Sequence, residues 1–184
     1  MIDKQENLKM EAVTTAHPRY QFIEDLLNLA FPRQERRDDA RQRHETDHNP
    51  LFTPYLISEN GQEIGLLTLW RFPGFTYAEH LAISPGIRNG GYGGRVVEWL
   101  KQNEMNGIIL EAELPETDLS RRRVAFYERH GFKICPKPYF QPPYHAGEAP
   151  LPLLLMYYGW DSLDDKFEEI RDTIHANVYG IVSK

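Results

Sequence analysis

The stretch Ile83-Ser84-Pro85-Gly86-Ile87-Arg88-Asn89-Gly90-Gly91-Tyr92-Gly93-Gly94-Arg95 constrains this chain more than any other. An alternating, strand-like run from Thr76 to Ile83 enters it, and a helix-like run from Tyr92 to Asn106 leaves it. Four glycines, at 90, 91, 93 and 94, sit at the junction. Glycine accepts positive φ and lets another molecule reach the main chain without a Cβ in the way. A helix starting there aims unpaired N–H groups and the positive end of its dipole at whatever lies in front. Strand, glycine turn and helix start together make an anion site of the kind that holds a pyrophosphate. The spacing is not G-x-x-x-x-G-K-[ST], because no Lys-Ser or Lys-Thr follows the glycines. It is not G-x-G-x-x-G after a first strand either.

The flanking pattern alternates strands and helices. Residues 1–10 read as a polar lead-in and Glu11-Ala12-Val13-Thr14 as a first strand. Phe22, Ile23, Leu26, Leu27 and Ala30 space a buried helical stripe that Pro32 ends. Arg33 to His48 is dense in charge with almost no apolar stripe, and reads as a solvent-facing helix. Strands at 55–58, 63–72 and 75–83, joined by Asn60-Gly61 and Pro73-Gly74 turns, predict an antiparallel meander. The helix at 92–106 then leads to a strand at 108–114 by a parallel crossover. A helix at 119–130, a strand at 132–135 and a last strand at 151–158 follow. The proline-rich segment 136–150 reads as a long loop. Leu163, Phe167, Ile170 and Ile174 space a C-terminal amphipathic helix within 160–184.

At 184 residues the chain suits one core, so a single domain spanning 1–184 is expected. A net charge of −6 disfavours nucleic acid, which needs a basic face. No apolar run approaches a membrane span, and the first residues lack an apolar signal core, so a cytoplasmic protein is expected. One cysteine, Cys135, excludes an internal disulfide, and the seven histidines show no paired metal spacing. The final strand and helix could supply a homodimer surface.

The order Arg88-x-x-Gly91-x-Gly93, preceded by Leu81-Ala82-Ile83-Ser84-Pro85, resembles the acetyl-CoA signature of the GNAT superfamily of N-acetyltransferases. Ala125-Phe126-Tyr127-Glu128-Arg129-His130-Gly131-Phe132 resembles that family's later element. The resemblance spans roughly residues 10–158. It implies an α/β fold with a mixed, mostly antiparallel sheet flanked by helices, to which the C-terminal helix is an addition. It further implies acetyl-CoA as cosubstrate, an amine acceptor and no metal. The main chain of Arg88, Asn89, Gly90, Gly91, Tyr92, Gly93 and Gly94 would grip the pyrophosphate, and the backbone around Leu81 and Ile83 would pair with pantetheine. Ser120 stands where the family often places a CoA-binding asparagine.

Tyr127 is the candidate acid, since a phenol near pKa ~10 can protonate a departing alkyl thiolate of pKa ~8.5. Glu79, on the strand feeding the loop, is the candidate base; His80 would point to the opposite face of a regular strand. Glu111 and Glu113 share a face of the next strand, where Glu111 is expected to bind a cationic acceptor or hold a water. Tyr139, Tyr144 and His145 lie in the loop that would border the acceptor, with Tyr144 the favoured contact. The implied activity is N-acetylation by direct attack in a ternary complex. The alternative is a catalytically silent acyl-CoA-binding or sensing module.

Overall fold

Positive φ at both Asn60 (51°) and Gly61 (79°) gives the two-residue turn whose twist matches that of paired strands. It joins β2 (Phe52–Glu59) to β3 (Gln62–Phe72), and Pro73-Gly74, with Gly74 at φ 92°, joins β3 to β4 (Phe75–Ile83). The computed structural model describes residues 7–87 and 90–181. The expected meander is present, and a further strand, β1 (Leu8–Ala12), pairs antiparallel with the outer edge of β2. It begins inside the expected polar lead-in. Leu8 and Met10 alternate with Lys9 and Glu11, and the apolar pair packs onto the core.

Helix α3 (Tyr92–Asn103) carries the chain over to β5 (Ile108–Glu113), which lies parallel to β4. Then come α4 (Asp118–Arg129), β6 (Lys133–Ile134), β7 (Tyr139–Gln141) and β8 (Leu151–Tyr158). The sheet order is β1-β2-β3-β4-β5-β8-β6, with β7 also on β8, and every pairing except β4–β5 is antiparallel. Strand β7 corrects the expectation of an unbroken loop over 136–150. The prolines flank Tyr139-Phe140-Gln141 without entering it, and three residues suffice to pair at an edge.

Helices α1 (Tyr20–Ala30), α2 (Asp39–His48) and α5 (Phe167–Val178) cover one face of the sheet, and α3 and α4 cover the other. Helix α5 is part of the core. Leu163, Phe167, Ile170, Ile174 and Val178 are all buried against Ile109, Leu155 and Tyr157. Five such side chains contribute on the order of 10 kcal/mol before chain entropy is subtracted. The segment 33–48 also departs from expectation. A short 3-10 turn (Arg33–Glu35) precedes α2, and Arg37, Gln42 and Thr46 are buried although the segment has almost no apolar residue.

Candidate active site

Strands β4 and β5 pair only from Thr76↔Ile108 to Ala78↔Leu110, and then separate. Beyond that point β4 stays on β3 and β5 stays on β8, so a gap opens within the sheet. A β-bulge sits where the separation starts. Leu69 faces Ala78 and Thr68 faces His80, which leaves Glu79 as the extra residue. The bulge reverses which N–H groups face which edge. Thr76 donates to Gly107 O, on the β5 side, whereas Ser84 donates to Ile64 O, on the β3 side. Alternation from Ser84 therefore turns the N–H groups of Leu81 and Ile83 into the gap.

At the end of β4 the chain reaches α3, whose N-cap Gly91 is left-handed (φ 70°) and has no side-chain cap. A Cβ on Gly93 would lie 3.5 Å from the Phe126 ring, and one on Gly94 3.2 Å from His130. Glycine thus keeps open a groove lined by Ile83, Ile87, Gly91, Tyr92, Gly93, Gly94 and Phe126. Gly90 adjoins it, with the Tyr92 ring over its Cα. Arg88 and Asn89 lie outside the described residues. The Tyr92 hydroxyl donates to Glu59 (2.5 Å), which also takes Arg95 (2.6 Å), so only the Tyr92 ring and backbone face the groove. Ser120 is a correction. It is buried at the third position of α4 in a capping box, accepting from Thr117 N–H (2.9 Å) and giving its own N–H to Thr117 Oγ1 (3.1 Å). Its hydroxyl serves the helix end.

A cavity of about 220 Å³ runs through the gap and reaches both faces of the sheet. On the α3/α4 face Tyr127 lines it, its ring set between Phe126 (5.1 Å) and Phe132 (5.7 Å). Burial pushes its phenol above the ordinary value, so it carries its proton at neutral pH. On the opposite face the lining includes Tyr77, Glu79, His80, Glu111, Gln141 and Tyr144.

The two carboxylates there differ. Glu79 takes Arg37 Nη1 (3.1 Å) and Nη2 (2.5 Å), Trp70 Nε1 (3.0 Å) and the Tyr144 hydroxyl (2.6 Å). Burial opposes its charge, but Arg37 above all outweighs burial and holds the carboxyl at about 2. With four donors on two oxygens it has neither the basicity nor the free lone pair of a general base, which corrects the expectation from its position. Tyr144 is likewise committed to Glu79. Glu111 receives the Tyr139 hydroxyl and the Tyr179 hydroxyl (2.8 Å). Burial raises its carboxyl to about 7, against the tyrosine hydrogen bonds that favour the charged form. His80 does not turn away. The bulge breaks the alternation, and its Nδ1 lies 3.7 Å from Glu79. Its Nε2 lies 2.8 Å from Glu35 O and so carries the hydrogen, while burial keeps the imidazole neutral. Glu113 pairs with Arg123 (2.7 Å).

Arg37, Trp70 and Tyr179 were not singled out from the sequence. Tyr179 is the C-cap of α5, about 100° round the helix from Val178, so following the stripe Phe167, Ile170, Ile174, Val178 does not reach it. Arg37 lies in a charged run that offers no periodic signal. Among the described residues, no group of three or more His, Cys, Asp or Glu is placed to hold a metal ion, and no helix is long and apolar enough to cross a membrane.

A model of the acetyltransferase (GNAT) domain matches residues 51–134. A structure of a protein assigned to the GNAT acetyltransferases from Bacteroides thetaiotaomicron is 39% identical, with a TM-score of 0.91 over 94% of this chain and 99% of that one. A GNAT family acetyltransferase from Elizabethkingia anophelis, solved with acetyl-CoA, is 19% identical (TM-score 0.59; 84% and 99% covered). Naa50 of Arabidopsis thaliana, solved with the bisubstrate analogue CoA-Ac-MVNAL, is 16% identical (TM-score 0.59; 84% and 99% covered). The search of curated proteins found no match.

Proposed function

The chain belongs to the GNAT family of acetyltransferases, and from that premise we propose that it moves an acetyl group from acetyl-CoA to a primary amine by direct attack in a ternary complex. One observation carries this reading: the cavity crosses the sheet between β4 and β5, with Tyr127 on one face and Glu111 on the other. The residues present fit the cosubstrate. The open edge at Leu81 and Ile83 offers main-chain donors to an extended amide chain, and the uncapped α3 start offers N–H groups to a pyrophosphate. Relatives solved with acetyl-CoA or a CoA bisubstrate analogue support the assignment.

Glu111 is the base in this reading, with Arg37–Glu79 as the buried support beside it. An alkylammonium near pKa 10.4 must lose a proton before its nitrogen can attack. Passing that proton to a carboxylate at about 7 costs about 5 kcal/mol, and to one at about 2 about 11 kcal/mol. A turnover of about 10 per second allows a total barrier of about 16 kcal/mol, so only Glu111 leaves adequate room for acyl transfer. The N–H of Ile83 faces the gap and would polarise the thioester carbonyl. Tyr127 then gives its proton to the departing thiolate.

Calorimetric titration with acetyl-CoA tests the cofactor site. Gly93→Val keeps ordinary backbone φ but fills the groove beside Phe126, and should abolish binding that wild type displays. No binding by folded wild type would end the acetyltransferase reading. Tyr127→Phe should keep acetyl-CoA affinity and lower kcat by about 10²-fold or more; unchanged turnover would remove Tyr127 as the acid.

A further inference from the structure

We infer that the acceptor is a small primary amine enclosed by the protein, and that polypeptide N-termini are excluded. This rests on the acetyltransferase reading above and specifies its substrate class. The wall of the cavity on the α1/α2/α5 face is built from two segments: the turn after α1, which supplies Glu35, and the end of β7 with its following loop, which supplies Gln141 and Tyr144. These segments are fastened together at three points. Gln141 Nε2 donates to Gln34 O (3.1 Å). His145 Nε2 lies 3.0 Å from both Arg33 O and Arg36 O, and because both are acceptors that nitrogen carries the hydrogen and shares it. Arg33 closes the far end by pairing with Glu148.

Behind this strap, Tyr144 is pinned to Glu79 and His80 to Glu35 O, so the wall is anchored from the inside as well. A polypeptide acceptor needs a groove through which its chain can leave while its N-terminus reaches the thioester. Here the two segments that would border such a groove are hydrogen-bonded to each other. The space between the walls is also small. About 220 Å³ must hold both the thioester end and the acceptor, and pockets for drug-sized ligands alone run to about 300–1,000 Å³. An amine of few non-hydrogen atoms fits beside Tyr77 and Glu111; a peptide residue with its continuing chain does not.

The test compares binding of three probes to the intact protein by calorimetry: CoA, CoA joined through an acetyl bridge to propylamine, and CoA joined likewise to the N-terminus of a five-residue peptide. The expected result is propylamine probe at least about tenfold tighter than CoA, and peptide probe no tighter than CoA. A peptide probe as tight as the propylamine probe, or no gain from either, overturns the inference while leaving the cosubstrate assignment standing. Failure of CoA itself to bind removes the acetyltransferase reading and this inference with it. Replacing Arg33 and His145 together by alanine should release the strap and bring the peptide probe to within about threefold of the propylamine probe. A preference unmoved by that change would show that the strap does not set it.

Discussion

Glu79 and Glu111 stand on neighbouring strands at the same gap, the Glu79 side chain buried and Glu111 half-buried, and do opposite things. Glu79 meets a guanidinium, an indole N–H and a phenol, and the sum fixes it as a permanent anion at about 2. Glu111 meets only phenols and is desolvated without a cation, and it rests at about 7. Burial acts on both alike; the identity of the donors separates them. A carboxylate in a catalytic gap is therefore a structural ion or a proton acceptor according to its partners, and its position on the strand does not decide which.

The sharpest way to break this contrast is Arg37→Met, which leaves Glu79 buried without its cation. It should cost about 3–5 kcal/mol of stability in urea denaturation; a loss under about 1 kcal/mol would mean the pair is not the anchor described. Next in size, Glu111→Gln should lower kcat by about 10²–10⁴-fold with the fold intact, whereas Glu79→Gln should act mainly on stability.

The two should also part company with pH. Glu79 has a depressed carboxyl, so its contribution of about 3 kcal/mol is complete above pH ~4.3 and is lost as pH falls toward about 2. Glu111 has a raised one, so stability is complete below ~4.3 and falls by up to about 4 kcal/mol as pH rises through about 7. Thermal unfolding of Glu111→Gln at pH 8 should accordingly give a Tm no lower than wild type. Smallest, Tyr179→Phe removes one donor to the Glu111 carboxylate. It should move the rising limb of the pH–rate profile up by roughly 1 pH unit, measured with a weakly basic fluorinated alkylamine that stays neutral across the range. A limb that does not move would return the role of base to another group.

What the sequence made legible follows its periodicities. The meander, the crossover and the glycine start of α3 all lie in stretches where apolar spacing or turn chemistry acts locally. Glu79 was readable as a residue of the strand feeding the glycine loop but not as an ion, because Arg37 comes from 42 residues away in a run whose charges look solvated. Ser120 matched a family position, yet with Thr117 three residues earlier it forms a capping box that the usual S/T-x-x-E/Q signature does not announce. The β4 bulge shifts the alternation by one residue, but Ala78-Glu79-His80-Leu81 mixes small, charged and apolar side chains, which hides the change of phase.

The hydroxyl that sharpens Glu111 belongs to a residue made 68 positions later. At about 5–20 residues per second, a chain leaving the ribosome carries Glu111 for roughly 3–14 s before Tyr179 exists. Strands β1 to β5 and the glycine loop can assemble in that interval, but the Glu111 carboxyl lacks this hydrogen bond until α5 docks. In the proposed function, catalytic competence would therefore wait for α5 to dock.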